Sequence, residues 1–288
     1  MERFLDVTVA GLMLGGLYAL IAMGMSLQYG VARVFNIAHG EFIMLGAMTT
    51  YTLFTVFHVS PLLAVAICGP LAFVLGYVIH RLMFRKLQIS APSQGVFESS
   101  SMLASFGLMF VIQNLALLIW GPEIRQYSYM TQTFSILGAQ FGLRRLVTLV
   151  FAVGIGAVFY LFLARTRIGK AIRAAGQDAS IAGLMGVNIN WVLALCFGLG
   201  AAMAGAAGVL ISMCYPDSAI MGQEYLTVAI IVVVLGGLGS IPGSFIGGFA
   251  LGIIGSIVAF WDTGLVMAAF YAIFVILLLV RPKGILGK

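Results

Sequence analysis

The stretch VVLGGLGSIPGSFIGGFALGI, residues 233–253, lies inside an apolar run that extends from residue 224 to residue 260. A helix needs about 20 apolar residues to cross about 30 Å of hydrocarbon, so this run is too long for a single crossing. Its centre, GGLGSIPGS at 236–244, collects glycines and Pro242, which oppose a continuous helix. We therefore predict two helical segments joined by a break at membrane depth.

The composition of the whole chain is that of a membrane protein. The 288 residues are 62% hydrophobic and 8% charged, whereas soluble proteins carry about 25% charged residues. Other apolar stretches of crossing length occur near residues 7–29, 37–57, 61–80, 100–120, 146–164, 190–212 and 265–280. We predict an all-α integral membrane protein, a polytopic bundle of about 8 transmembrane helices. Some of these helices are expected to be discontinuous, and residues 1–288 are expected to form one transmembrane domain.

Positive residues concentrate in three loops and indicate which side of the membrane each loop occupies. Loops rich in Lys and Arg stay in the cytoplasm, and alternating crossings can place all three there. The N terminus and the loop at 121–143 then lie outside. This placement fails if the segment around residues 30–45 turns back without crossing. The three groups are Arg81, Arg85 and Lys86; Arg165, Arg167, Lys170 and Arg173; and Arg281, Lys283 and Lys288.

The segment NIAHGEF, residues 36–42, puts polar side chains between two hydrophobic runs. Polar groups at membrane depth need partners, and ionisable ones there suggest a functional site. Two interpretations stay open. Asn36, His39 and Glu41 could bond to neighbours, Arg33 included, and fix helix register, or they could face a translocation pathway. The candidate pathway or gate residues are Asn36, His39, Gly40, Glu41, Gln113, Asn114, Gly236, Gly237 and Gly239.

The segment RTRIGKAIRAAGQDASIAGLMGVNI, residues 165–189, shows apolar residues at a spacing of three to four. This spacing predicts a short amphipathic cytoplasmic helix, which must bury its apolar face on lipid headgroups or on another protein. The sequence has no G-x-x-x-x-G-K-[ST] phosphate loop, so nucleotide chemistry would come from a partner. No catalytic constellation or metal-ligand spacing stands out.

Taken together, these segments resemble the membrane permeases of branched-chain amino acid (Liv-type) ABC importers, whose close relatives carry urea, short amides or other small polar solutes. The resemblance covers nearly the full chain and keeps the family order. The matching pieces are GGLYALIAMGMSLQYGVARVFNIAHGEF, IQN at 112–114, GKAIRAAGQDASIAGLMGVNI, AAMAGAAGVL at 201–210, VVLGGLGSIPGSFIGGFALGI and RPKGILG at 281–287.

The resemblance implies a multi-pass permease of the bacterial inner (plasma) membrane that works by alternating access. Its implied partners are a second related permease, two cytoplasmic ATPase subunits and an extracytoplasmic substrate-binding protein. ATP and Mg would be used by the ATPases, and this chain would bind no cofactor and catalyse no reaction.

The resemblance also implies a coupling segment at 171–187 that sits in a groove of an ATPase. Ala174, Ala175, Ala179 and Leu184 would fill this groove, with Arg173 and Asp178 at its rim. An Asp178→Arg change is then expected to uncouple ATP hydrolysis from uptake. The implied coupling residues are Arg173, Ala174, Ala175, Gly176, Asp178, Ala179, Gly183, Leu184 and Gly186.

Alternatives stay open at this point. The solute could be a branched-chain or related amino acid, urea, a short amide or a small organic acid. A different class is an ATP-independent channel or ion-coupled transporter, with an ion site built from Asn36, His39, Glu41 or Glu224. The external segment at 121–145 could dock a binding protein through Glu123, Arg125, Tyr127 and Tyr129, or it could be a solvated loop.

Overall fold

The computed structural model describes residues 2–136, 139–281 and 284–287. Lys283 and Lys288, counted above in the third basic group, lie outside this part of the chain. The α-helices are α1 Glu2–Ala32, α2 His39–Thr55, α3 Pro61–Ile79, α4 Arg85–Ser90, α5 Gln94–Trp120, α6 Leu143–Arg165, α7 Arg167–Gln177, α8 Ala179–Leu184, α9 Ile189–Ser212, α10 Gly222–Gly236, α11 Ile241–Trp261 and α12 Val266–Val280. A π-helical turn, His80–Phe84, joins α3 to α4, and a 3-10 turn, Thr263–Leu265, leads into α12.

The predicted all-α membrane fold is confirmed. Among the described residues, seven helices are long and apolar enough to cross a membrane, and α10 is a shorter apolar helix. The long apolar run divides as predicted, with α10 ending at Gly236 and α11 beginning at Ile241. Gly237 and Gly239 take φ values of +102° and +81°, which L side chains rarely adopt. The helix cannot continue through them.

Helix α1 lies in the centre of the bundle and packs along α11 through small residues. A Cβ at Gly15 would lie 2.7 Å from the Phe249 Cα, and one at Gly11 would lie 2.9 Å from the Ile253 Cα. In lipid, close van der Waals contact replaces the hydrophobic drive between helices, and small residues allow it. The small residues at four-residue spacing in these two helices therefore mark their interface.

Helix α9 is buried almost throughout and contacts α1, α2 and α3. Gly205 of α9 meets Gly46 of α2, and a Cβ at Gly205 would lie 2.7 Å from the Ala72 Cβ of α3. The backbone of α9 is thus held between two other helices.

The contacts also give the direction of α1. Gln28 Nε2 donates to the Phe197 carbonyl (3.0 Å), while Gly24 faces Gly200, so α1 and α9 run in opposite directions. The end of α1 meets α7, where Val31 lies 3.3 Å from a Cβ position at Gly176. Because α7 carries the second basic group, the N terminus lies on the opposite face. This agrees with the predicted placement.

The cytoplasmic segment forms two helices, not the one helix that its spacing predicts. Helix α7 ends at Gln177, and Asp178 begins α8 by accepting hydrogen bonds from the backbone N–H groups of Ser180 (2.8 Å) and Ile181 (3.0 Å). An N-cap residue has a non-helical backbone, so it interrupts the helix where it stands.

The external segment after α5 contains a short antiparallel hairpin of β1, Thr133–Ile136, and β2, Ala139–Gly142. Before it, the backbone of Arg125 pairs with that of Asp217 through two hydrogen bonds of 2.8 and 2.7 Å. This bridge joins the loop after α5 to the loop between α9 and α10.

Candidate functional site

The segment NIAHGEF leads back into the membrane after α1 ends, and α2 then completes a crossing, since Thr52 near its end accepts a hydrogen bond from Trp120 at the external end of α5 (2.8 Å). Residues 33–38 are not helical, and α2 begins at His39, whose Nε2 lies 3.2 Å from the carbonyl oxygen of Ile21. Ile21 precedes the end of α1 by 11 residues, or about 16 Å at 1.5 Å per residue. Helix α2 therefore begins deep in the bilayer, and not at its boundary.

Asn36 holds this return segment against the bundle. Its Nδ2 donates to Gln28 Oε1 (3.3 Å), and its Oδ1 accepts from the Ala38 backbone N–H (3.1 Å). Asn36 is fully buried. These contacts support the register interpretation for Asn36 and His39. A role of either residue in the pathway stays a prediction.

The starts of α2 and α10 meet at this depth. Gly40 of α2 contacts the Gly222 backbone, and a Cβ at Gly222 would lie 2.8 Å from Glu41 Oε1. Glu41 is buried and its Oε2 lacks a hydrogen-bond partner within the described residues. Two interrupted helices therefore present their N-terminal, positively polarised ends to one place. Transporters often build solute sites from such half-helices.

An exposed acid, Glu224, stands in the first turn of α10 beside this meeting point. It interacts electrostatically with Tyr18 and Tyr225, and both tyrosines also interact with Tyr215. Tyr18 lies near the middle of α1, so Glu224 is exposed close to the middle of the membrane. A carboxyl group there faces water or another protein, because exposure to lipid is too costly.

From the sequence, Glu224 was predicted only as a residue of the ion site in the channel or ion-coupled alternative. The tyrosines near it were not predicted. The available signal was an acid at the head of an apolar run. The tyrosines come from three separate segments, and only the fold brings them together.

The other predicted pathway residues are placed differently. Asn114 is exposed and its Nδ2 donates to the Phe110 carbonyl of its own helix (2.8 Å), so among the described residues it joins no second helix. Gln113 is half-buried. Gly236, Gly237 and Gly239 form the break. Their backbones are tightly covered by Gly243, by Gly287 and by Gly30, respectively. Because Gly30 stands two residues before the end of α1, the break lies toward the cytoplasmic end of the bundle, and the expectation of a break at membrane depth is corrected.

The predicted coupling segment exposes apolar side chains at α8 and at the residue that follows it. Ile181, Leu184 and Met185 are 60%, 88% and 81% exposed. The predicted groove-filling set needs a correction, since Ala175 is buried against its own chain. Arg173 donates to the Leu163 carbonyl. The Asp178 side chain, predicted to lie at the rim of the groove, already caps α8 by accepting a hydrogen bond from the Ser180 backbone N–H.

The remaining predicted coupling residues differ in exposure. Ala174, Ala179, Gly183 and Gly186 are exposed, and Gly176 packs on Val31.

In the external segment, the proposed docking side chains are largely used within the chain. Tyr127 is buried, and its hydroxyl lies 2.8 Å from Ser212 Oγ. Arg125 donates to the Trp120 carbonyl (2.6 Å) and its guanidinium lies over the Tyr51 ring. Glu123 is exposed and Tyr129 half-buried, so these two retain surface for a partner.

Asp217, at the other end of the bridge, should make stability depend on pH. Its two carboxyl oxygens are buried without a partner in the described part of the chain, and burial raises the pKa of Asp217 to about 8. The folded state therefore holds a proton that the unfolded state releases near pH 4. Stability is expected to fall as pH rises from about 4 to about 8, by at most about 1.4 kcal/mol per pH unit.

Thermal unfolding of the detergent-purified chain across this range would measure the slope. Asp217→Asn should flatten it, whereas Glu123→Gln, at an exposed acid of the same external region, should leave it unchanged. An identical slope in Asp217→Asn would show that another group causes the dependence.

Comparison with known proteins decides the family. The family model described as branched-chain amino acid transport system / permease component matches residues 7–283. The chain belongs to this family. BraD of Pseudomonas aeruginosa, named a high-affinity branched-chain amino acid transport system permease protein, is 31% identical over 307 residues, covering 99% of this permease and 96% of the relative. LivH of Salmonella typhimurium, named in the same way, is 32% identical over 305 residues with the same coverage.

A more distant relative, the probable LivH of Methanocaldococcus jannaschii, is 25% identical over 94% of this permease and 89% of its own length. The predicted family and the transport function that goes with it are confirmed. So is the predicted localisation: the protein is a multi-pass permease of the inner (plasma) membrane, with seven helices able to cross it.

Proposed function

We propose that this permease pairs with a second, related permease to form a pathway for branched-chain or related amino acids. Two cytoplasmic ATPase subunits drive it and a substrate-binding protein delivers the solute from outside. The relatives named above are permeases of branched-chain amino acid transport systems, and this supports the same class of solute here. ATP and Mg act in the partner ATPases, and this chain contributes no cofactor site and no catalysis.

The observation that carries the proposal is the exposed carboxyl group of Glu224 near mid-membrane, which interacts electrostatically with Tyr18 and Tyr225. A charged group at this depth needs a wet pathway or a protein partner, so we assign this face to the pathway or to the interface with the second permease. A carboxylate in such a low-dielectric environment attracts an ammonium group by charge. An amino acid carries such a group, whereas urea, a neutral amide and an organic acid do not.

The apolar surface of α8 supports the ATPase partners. Leu184 and Met185 are almost fully exposed at the end of the cytoplasmic segment, and large exposed apolar side chains in a cluster mark protein contacts. Asp178 fixes the start of α8 and so positions this cluster. The carboxylate thereby acts within the chain, which leaves the apolar side chains to contact the ATPase.

Alternating access follows from the interrupted helices. ATP binding draws the ATPases together, and α7 and α8 transmit the movement to the end of α1, which α7 contacts at Val31. Residues 33–38 and 237–240 connect the half-helices to this end of the bundle. They overlap the broken segments at 36–46 and 236–244, which are the candidates for local rearrangement. Nucleotide can shift the two states only through different affinity for them.

Uptake by the complete complex tests the proposal. The permease is expressed with the products of its neighbouring genes, reconstituted into liposomes with ATP on the ATPase side, and supplied with binding protein and labelled leucine or labelled urea. We expect leucine uptake that requires ATP and the binding protein, with no urea uptake above that of empty liposomes.

Two results would contradict the proposal in different ways. Uptake of urea with none of leucine would assign this chain to the alternative solute class of its family. Equal leucine uptake without ATP would favour the channel or ion-coupled alternative.

A further inference from the structure

A cavity of about 590 Å³ lies at the cytoplasmic end of this permease. It is enclosed by the end of α1, the end of α6, one face of α7, the break between α10 and α11, and Leu286 of the C-terminal tail. Each of these belongs to the same end of the bundle as the basic groups. The cavity therefore lies near the level of the lipid headgroups in the cytoplasmic leaflet.

The rim of the cavity is positively charged. Arg33 and Arg173 both line it, and no acidic residue does so in the described part of the chain. Residues Ser240, Ile241 and Pro242, at the beginning of the 21-residue helix α11, line it as well, and a helix N-terminus favours negative charge. Arg173 gives one N–H to the Leu163 carbonyl, but a guanidinium carries five donors.

The inner part of the cavity is mostly apolar and extends into the membrane. Leu27, Leu163 and Ile172 are among its lining residues. Ser26 also lines it, and Ser26 precedes the end of α1 by six residues, which is about 9 Å along the helix. The cavity thus changes from charged at the headgroup level to apolar at the level of the acyl chains.

Two further features mark this cavity as a binding site. Ser26 is 1% exposed, and its hydroxyl has no hydrogen-bond partner among the described residues. Buried polar groups are normally paired, so such a hydroxyl awaits an acceptor. Arg33 has a φ of +54°, an unusual backbone for a residue other than glycine, and such strain concentrates at ligand contacts.

We propose that the cavity binds a phosphate-bearing anion, and that this anion is the headgroup of an anionic phospholipid. The phosphate lies between Arg33 and Arg173 at the start of α11. An ester carbonyl of the glycerol accepts a hydrogen bond from the Ser26 hydroxyl, and an acyl chain lies along the apolar lining. A free phosphate would satisfy the arginines alone and leave the apolar part and Ser26 unused. The bound lipid would contact both α7 and the break at 237–240. The lipid composition of the membrane would then affect the coupling segment.

Native mass spectrometry of the delipidated, detergent-purified permease tests this site. The full chain is titrated with phosphatidylglycerol or with phosphatidylcholine of the same acyl chains. We expect phosphatidylglycerol to bind at least tenfold more tightly than phosphatidylcholine, and Arg33→Gln to remove most of this preference. Arg85→Gln, at a basic residue of the same face outside the cavity, is the matched control and should keep it.

Added inorganic phosphate separates the two sources of the anion. If phosphate at millimolar concentration displaces the lipid and raises the thermal midpoint by itself, the site takes a free anion and the lipid assignment is wrong. Equal loss in Arg33→Gln and Arg85→Gln would show general surface attraction and overturn the site.

If Arg33→Gln does not fold, Gln177→Glu provides a second variant. This exposed residue lines the cavity, and a negative charge there should weaken phosphatidylglycerol binding but not phosphatidylcholine binding. Unchanged selectivity would contradict the proposal. Since the readout is lipid retention, its outcome does not depend on the transported solute or on the ATPases.

Discussion

Leu184→Glu is expected to strip the ATPase subunits from the purified complex and to abolish ATP-driven uptake. Leu184 is 88% exposed at the end of α8, so the substitution removes no contact that holds this chain together. In a partner groove, the same change replaces an apolar anchor with an unpaired charge. Loss of a central anchor costs at least about 2 kcal/mol of binding energy, and about 1.4 kcal/mol already lowers affinity tenfold.

Ile89→Glu is the matched control for this experiment. Ile89 is an apolar residue of α4 on the same face of the membrane, 72% exposed, and outside the coupling segment. Both variants are purified from membranes that contain the partner subunits, and the retained ATPase is quantified per permease. Equal retention in the two variants would show that the ATPase contacts another surface and would remove α8 from the proposed coupling.

Leu184→Glu is a cleaner test of coupling than Asp178→Arg. The Asp178 carboxylate accepts two backbone hydrogen bonds at the start of α8, and losing an N-cap of this kind costs about 1 kcal/mol. An arginine at 178 would therefore alter the position of α8 as well as the charge at its surface. Uncoupling by that variant would have two explanations.

Gly46→Leu is expected to prevent stable folding of the permease. A Cβ at Gly46 would collide with the Gly205 carbonyl of α9 and lie 3.0 Å from its Cα. Helix α9 cannot withdraw, because its other sides are in similar contact: a Cβ at Gly76 of α3 would lie 2.6 Å from the Ala201 Cβ, and one at Gly24 would lie 2.8 Å from the Gly200 carbonyl. Overpacking a core costs about 1–3 kcal/mol, and a clash between two backbones should reach the upper end or exceed it.

The measurement is the yield of monodisperse protein after detergent extraction, together with its thermal midpoint. Gly154→Leu introduces the same side chain into α6 at an exposed position with no neighbouring atom within 4 Å, so it should behave like the unmodified permease. A monodisperse Gly46→Leu protein with an unchanged midpoint would mean that α2 and α9 do not cross as described.

Sequence reasoning predicted the broken helix correctly because its cause is local. Gly237, Gly239 and Pro242 act through their own backbone geometry, and neighbouring glycines weaken a helix in any context. The amphipathic cytoplasmic segment was found for a similar reason, but its division at Asp178 was not. Asp is common both at caps and in exposed helix turns, so periodicity alone does not distinguish the two.

The function of NIAHGEF could not be assigned in this way. A polar residue in an apolar stretch needs a partner, but the sequence does not say which. The partners of Asn36 and His39 are Gln28 and the Ile21 carbonyl, which the return of residues 33–38 brings near. The same return places Gly40 against Gly222, 182 positions further along the chain.

By itself, the sequence determined that the chain lies in a membrane, the approximate number of spans, the break at 236–244 and, through its resemblance, the family. These follow from composition, from apolar run length and from residues whose conformational limits are their own. The tertiary structure decided which polar groups are used within the fold and which face outward. It brought Glu224 near Tyr18 and Tyr225, and it placed Arg33, Arg173 and Ser26 in the lining of one cavity. Such groupings depend on contacts between segments that are distant in the sequence. Which side chains come together depends on the depth in the membrane at which each helix begins, and the sequence pattern does not give that depth.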